Sequence, residues 1–172
     1  LRRTARDEPD YDVLMKGRLA LLDEHGLTLG LITEVIAGLA PIDGARAFLD
    51  ALRAQTQVVI LSDTFEQFAA PLIRQLGMPT ILCHQLIVED DRIVGHALRM
   101  PDQKRSAVEA FRSLNYRVVA AGDSYNDRSM LAAADVGFWF HAPDAIVAEF
   151  PEFPATVGFD ELQRHITGAL TV

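Results

Sequence analysis

Gly122-Asp123-Ser124-Tyr125-Asn126-Asp127 follows a wholly apolar run, Val118-Val119-Ala120-Ala121, and precedes a helix-like segment, Asp127 to Ala134. The stretch reads as a strand that delivers carboxylates to a loop. In an α/β domain, ligands bind in the crevice beyond the carboxyl ends of parallel strands, so two aspartates at such a point suggest cation and phosphate chemistry. The plain alternative is that Asp123 or Ser124 caps the helix that follows.

Upstream, a second buried-strand pattern, Val58-Val59-Ile60-Leu61, ends in Ser62-Asp63-Thr64, whose hydroxyls and backbone amides can meet an anion. Phe65, Phe68, Ala69, Leu72, Ile73 and Leu76 predict a helix after it, with Pro71 marking either a kink or a fresh turn. Thr80 to Leu82 reads as a strand, and Gln85 to Val88 with Arg92 to Leu98 as a hairpin around Glu89-Asp90-Asp91, turn acids expected to stay solvated. Asp102 is expected to cap a helix with Val108, Phe111 and Leu114 inward. Lys104 falls on that inward stripe in the first turn, where it either reaches solvent or draws an anion. Downstream, Val136 to Phe140 predicts a strand with Trp139 in the core, Pro143 opens a short helix, and Phe159 to Leu170 predicts a last one.

The first forty residues read as helical only. Tyr11, Leu14, Met15 and Leu22 recur at helical spacing from Asp10 to His25, with Gly26 as the stop. Arg18 shares this stripe, and its position alone leaves open whether its stem covers apolar surface or its guanidinium grips a carboxylate or phosphate. Leu29, Ile32, Val35, Ile36 and Leu39 make a second helix, started by Thr28 and ended before Pro41. Asp43 is expected to cap a third, with Ala45, Phe48, Leu49 and Leu52 on its face.

With 172 residues and 49% apolar composition, the chain can bury a sizeable core in one domain with a small appendage. No apolar run approaches the roughly 20 residues of a membrane span, and no signal-peptide pattern opens the chain, so a cytoplasmic location is expected. The net charge of −8 and the scattered Lys and Arg residues argue against nucleic acid as a partner. The single cysteine, Cys83, is read as a small buried apolar residue, and the five histidines show no metal-ligand spacing and are read as structural or surface residues. Leu1 to Pro9 is charged and lacks core periodicity, and the first residue is not methionine, so the chain is expected to begin partway through a protein.

Ser62, Lys104 and Asp123 with Asp127 together make a phosphate and magnesium kit: hydroxyl and ammonium to neutralise phosphoryl oxygens, and a carboxylate to hold Mg²⁺. In this order they resemble the later three motifs of the haloacid dehalogenase-like hydrolase superfamily: a strand ending in Ser or Thr, a distant Lys, and a Gly-Asp-x-x-x-Asp loop. The chain is most similar to the phosphoserine phosphatase branch, and within it to the bifunctional phosphoserine phosphatase/homoserine phosphotransferase type. Asp10-Tyr11-Asp12-Val13-Leu14-Met15-Lys16-Gly17-Arg18-Leu19 is similar to that branch's cap helix, and Ser62-Asp63-Thr64-Phe65 looks like the phosphotransferase variety rather than the commoner Ser-Gly-Gly-Phe.

The resemblance implies an α/β, Rossmann-like parallel sheet with a small helical cap, divided as residues 1–40 (partial cap) and 41–172 (core). It implies a Mg²⁺-dependent phosphoserine phosphatase of serine biosynthesis that passes phosphate from its own aspartate to water or homoserine, and it admits a homodimer. The implied roles are Asp123 and Asp127 for the metal, Lys104 and Asp127 in catalysis, and Tyr11, Arg18, Ser62, Asp63, Lys104 and Asn126 for substrate. The family's first motif, Asp-x-Asp or Asp-x-Glu at the end of a central strand, has no counterpart in the sequence; Asp7-Glu8 has no apolar strand ahead of it. The chain by itself is therefore expected to be inactive, with its first central strand missing and the neighbouring strands pairing elsewhere. A non-catalytic phosphate-ester binding protein, or a phosphatase of another small phosphomonoester, remains the alternative.

Overall fold

The computed structural model describes residues 11–171. Its elements are α1 (Tyr11–Glu24), α2 (Leu29–Ala37), α3 (Ala45–Arg53), β1 (Val59–Phe65), α4 (Glu66–Gln75), β2 (Thr80–Glu89), β3 (Arg92–Ala97), α5 (Gln103–Ser113), β4 (Val119–Gly122), α6 (Arg128–Ala133), β5 (Val136–Phe140), α7 (Asp144–Glu149), β6 (Ala155–Thr156) and α8 (Phe159–Leu170), with a 3₁₀ turn at Tyr125–Asp127. They form two compact units, one of residues up to 41 with 62–99, the other of 42–61 with the residues from 100 on.

The first unit carries β2, β3 and the part of β1 from Ser62 on, in a sheet of order β1-β2-β3. β2 and β3 pair antiparallel from Gln85 opposite Ala97 to Glu89 opposite Arg92, with a bulge between Ile87 and Val88. The two short strands expected around Cys83 are one continuous strand. Met15, Phe65, Leu86 and Ile93 form the buried core of this unit, and Leu19, Leu22, Leu29 and Ile32 pack against it at the helical spacing read from the sequence. The turn acid Asp91 does more than stay wet: its Oδ1 accepts from Gly30 N (2.9 Å) and its carbonyl from Leu29 N (2.8 Å), so the hairpin caps α2 together with Thr28, whose hydroxyl accepts from Leu31 N. Val35 in α2 and Leu39 beyond its end are exposed, against the expectation of one buried stripe, while Ile32 and Ile36 are half-buried. α4 runs through Pro71 without interruption, and Pro71 is buried.

The second unit carries β4-β5-β6, all parallel, with Gly122 opposite Trp139 and Trp139 opposite Ala155. β6 spans two residues and has no periodicity to betray it. Trp139 is fully buried among Val108, Ala120, Met130, Leu131 and Ile146, and its indole N–H donates to Phe150 O (3.2 Å). Truncating a side chain so placed costs roughly 3–5 kcal/mol. Phe159 stacks on Phe48 and Phe140, joining α8 to α3 and β5.

Three local expectations change. α3 starts from Gly44 at φ 84, a left-handed position that suits glycine, and Asp43 makes no cap. Asp102 stands at the N-cap of α5 with φ 42 and makes no side-chain cap; its carboxylate instead accepts from Ser129 Oγ (2.9 Å). Leu114 ends α5 on the surface rather than inside, since it lies beyond the last turn that packs.

β1 extends to Phe65, so Ser62-Asp63-Thr64 lies within the strand and not after it. Among the described residues no strand pairs with both β1 and β4, and each is held in a separate three-stranded sheet.

Candidate active site

The loop after β4 is built around Asp127. Its carboxylate is buried and takes four donors: Lys104 Nζ at 2.7 Å on Oδ1, and Asp123 N, Ser124 N and Ser124 Oγ at 3.0, 3.1 and 3.1 Å on Oδ2. Ser124 and Asp127 form a reciprocal capping box across the 3₁₀ turn, so the capping explanation for this stretch holds as well. Gly122 is required by contact: a Cβ there would sit 2.5 Å from Asp127 Cβ and 2.8 Å from its Oδ2. The Gly-Asp-x-x-x-Asp spacing is thus a packing rule, since the second aspartate folds back over the glycine that ends the strand.

Lys104 is buried too, at 8% exposure, and its inward position is explained by Asp127. The anion drawn to the start of α5 is a protein carboxylate. Ser129 on α6, two residues beyond Asp127, reaches Asp102 two residues before Lys104, so α5 is tied to the loop and to the helix that follows it.

Asp123 is exposed, and among the described residues no side chain donates to its carboxylate. Asn126 is exposed, and its side-chain oxygen lies against Ser124 Oγ, whose single hydrogen it shares with Asp127 Oδ2. Tyr125 donates to Glu149 Oε2 (2.8 Å) and meets Phe150 edge-on, while Arg128 lies over the Phe150 ring at 4.6 Å; together they fasten the loop to α7. The roles of Glu149 and Phe150 were not readable from spacing, which does not say what a loop leans on.

A divalent cation fits this loop in part. Asp123 offers an open, hard oxygen donor of the kind Mg²⁺ takes. Asp127 is committed to Lys104 and three N–H or O–H donors, which suits it to hold the loop in shape beneath such an ion. Among the described residues no group of three His, Cys, Asp or Glu side chains converges as a metal cluster.

Ser62, Asp63 and Arg18 belong to the first unit. Ser62 Oγ accepts from Thr64 N (3.3 Å), which turns the hydroxyl toward the end of the strand. Asp63 Oδ1 faces His84 Nε2 at 3.7 Å. Arg18 lies half-buried on α1, on the stripe expected. The backbone of Tyr11 opens α1, and its side chain lies outside the described residues, as do Asp7 and Glu8. Cys83 is buried as expected, and burial, with the nearby Glu66 charge, pushes its thiol up and away from reactivity.

A family profile for haloacid dehalogenase-like hydrolases matches residues 5–135. The chain belongs to the haloacid dehalogenase-like hydrolases. Within that family it falls in the phosphoserine phosphatase branch. It is 59% identical over 170 residues to phosphoserine phosphatase ThrH of Pseudomonas aeruginosa, covering 98% of this chain and 83% of that protein. It is likewise 59% identical over 170 residues to a phosphoserine phosphatase of Pseudomonas syringae pv. tomato, covering 98% and 72%. A solved structure of a phosphoserine phosphatase as a phospho-aspartyl intermediate analogue superposes with TM-score 0.73 at 21% identity, over 90% of this chain and 77% of that one, and so shares the α/β fold. The family match together with phosphoserine phosphatase relatives at 59% identity makes the protein a phosphomonoester hydrolase by family. Among the described residues no helix is long and apolar enough to cross a membrane.

Proposed function

We propose that the substrate is phosphoserine, hydrolysed with Mg²⁺ through a phosphoaspartate on the first-motif aspartate, in the cytoplasmic synthesis of serine. The observation that carries the reading is the buried Lys104–Asp127 pair at 2.7 Å beside the open carboxylate of Asp123, all at the end of one parallel strand. In this reading Mg²⁺ on Asp123 supplies charge neutralisation at a phosphoryl oxygen. Lys104, aligned by Asp127, sets its positive charge against the phosphoryl group, and the Ser62 hydroxyl donates to one of its oxygens. Asn126 orients the substrate, Arg18 takes its carboxylate by a bidentate pair, and Tyr11 completes the substrate contacts. Residues 1–40 serve as part of the cap and 41–172 as the core, and two copies associate as a homodimer.

The 172 residues alone are expected to release no phosphate from phosphoserine, because the sequence holds no Asp-x-Asp or Asp-x-Glu preceded by an apolar strand to accept the phosphoryl group. Protein carrying an upstream strand that ends in Asp-x-Asp or Asp-x-Glu is expected to turn over. A phosphoaspartyl adduct on the 172 residues, or inactivity of the extended protein, would overturn this, and the latter outcome would favour a phosphate-ester binder. Arg18→Ala in the extended protein is expected to raise KM for phosphoserine about tenfold or more while sparing that for a phosphomonoester without a carboxylate. An equal effect on both would remove the carboxylate contact and point to another small phosphomonoester. Ser62-Asp63-Thr64-Phe65 supports homoserine as a second acceptor, and formation of phosphohomoserine in the same assay tests it.

A further inference from the structure

Asp63 presents an electrostatic problem. It adjoins Ser62, whose hydroxyl is assigned above to a phosphoryl anion, and a carboxylate beside such an anion repels it. Strand alternation is the first part of the solution, since consecutive side chains of β1 leave on opposite faces. The second part is His84 on β2, which is buried, packs its ring 6.2 Å from that of the equally buried Phe65, and turns Nε2 to Asp63 Oδ1 at 3.7 Å.

The protonation of His84 follows from its other nitrogen. Nδ1 accepts the backbone N–H of Arg99 at 3.1 Å, so it carries no proton, and the ring is neutral with its single hydrogen on Nε2. Arg99 is itself fixed: its Nε donates to Cys83 O at 3.0 Å, and its guanidinium lies 3.5 Å from Glu66 Oε1, whose other oxygen accepts from Gln85 Nε2 at 3.0 Å. The tautomer is therefore set by backbone and a braced side chain, and the nitrogen that carries the hydrogen lies 3.7 Å from Asp63 Oδ1.

We propose that His84 is a positioning residue, a neutral imidazole whose Nε2–H holds the Asp63 carboxylate to its own face of β1 and so keeps the face of Ser62 fit for a phosphoryl anion. This rests on the reading of Ser62 as a phosphate contact. Nothing in the spacing of the histidines signals it, because the partner lies on a different strand.

The two ring nitrogens have separate mimics. His84→Gln keeps a donor toward Asp63 and gives up the acceptor for Arg99 N–H, and His84→Asn does the reverse. Orthophosphate binding is read on the full chain from the amide shifts of Ser62, Asp63 and Thr64. His84→Gln is expected to bind within twofold of wild type and His84→Asn three- to tenfold more weakly, the size of one charge interaction at a half-exposed site. In an Asp63→Asn background, His84→Asn is expected to have no further effect. Imidazole ¹⁵N shifts of the wild-type chain, which need no variant to fold, are expected to show the Nε2–H tautomer at neutral pH. An Nδ1–H or doubly protonated ring, the opposite order of Gln and Asn, equal binding by both, a further loss in the Asp63→Asn background, or no orthophosphate binding by wild type would each overturn the proposal. Phosphoserine turnover is measured separately in the extended protein, so that its absence would sink the substrate reading and leave the orthophosphate and tautomer results standing.

Discussion

Replacing Lys104 with methionine tests whether the loop after β4 depends on a desolvated ion pair. The two side chains are 10% and 7% exposed and meet at 2.7 Å, so water reaches neither charge freely. Methionine fills the volume of the lysine stem, which confines the loss to the ammonium. Removing one partner of a buried pair costs about 3–5 kcal/mol, because the other charge stays buried without compensation. The three donors left on Asp127 Oδ2 keep that carboxylate partly solvated by protein, which places the expected cost near the low end, about 3 kcal/mol. The assay is urea unfolding followed by fluorescence of Trp139, the only tryptophan, which is fully buried in the same unit. The double variant Lys104→Met/Asp127→Asn removes both charges and is expected to cost less than the two single changes summed, with a coupling of about 2 kcal/mol. Raising NaCl from dilute to molar is expected to leave the Lys104→Met difference nearly unchanged, since buried pairs are poorly screened. A loss below about 1 kcal/mol, or one that salt erases, is the behaviour of a surface pair and would refute the reasoning.

Gly122→Ala is expected to destabilise the same unit by about 1–3 kcal/mol, because a Cβ 2.5 Å from Asp127 Cβ forces the carboxylate off its donors; a wild-type urea midpoint would show that the contact is not tight. Asp135 accepts from Val118 N at 2.8 Å and pairs with Arg112, and the backbone bond foremost holds its carboxyl below the ordinary value of 3.8. A depressed folded-state pKa gives stability that is present above the unfolded value and lost as pH falls through the folded one. Asp135→Asn is therefore expected to lower stability at pH 7 by less than about 1 kcal/mol, and to lower it less at pH 2, where the wild-type advantage has gone. A difference that grows on acidification would count against it.

The helices were legible because their apolar residues recur at 3.6 spacing, and α1, α2 and α8 fall within a residue or two of the predicted bounds. The candidate site was legible in part for a different reason: an apolar run that ends in Gly-Asp delivers a carboxylate to a loop, and a lysine on an inward stripe either reaches solvent or draws an anion. What stayed hidden depends on distant partners. Asp102 looks like a helix cap in sequence, yet its carboxylate goes to Ser129, 27 residues away, and His84 is one histidine among five until β2 brings it to Asp63. β6 is too short to show a period, and Val35 and Leu39 share a helical stripe with residues that pack while lying beyond the neighbour's reach.

Asp123 and Asp127 look alike in the sequence, and the fold makes them opposites. Asp127 receives four donors and sits over Gly122, so every part of it is engaged in fixing the loop and the lysine. Asp123 lends only its backbone N–H to that arrangement and keeps its carboxylate open. A buried carboxylate so fully hydrogen-bonded is costly to redirect, whereas an exposed one gives up only water. On the proposed reading the loop therefore contributes one direct oxygen ligand to Mg²⁺, an ion that is commonly held by one or two carboxylates together with substrate phosphate and retained water. Its affinity is then governed by the first-motif acid and the phosphoryl oxygens more than by this loop, and Lys104, not Asp127, is the group that couples the loop to the substrate.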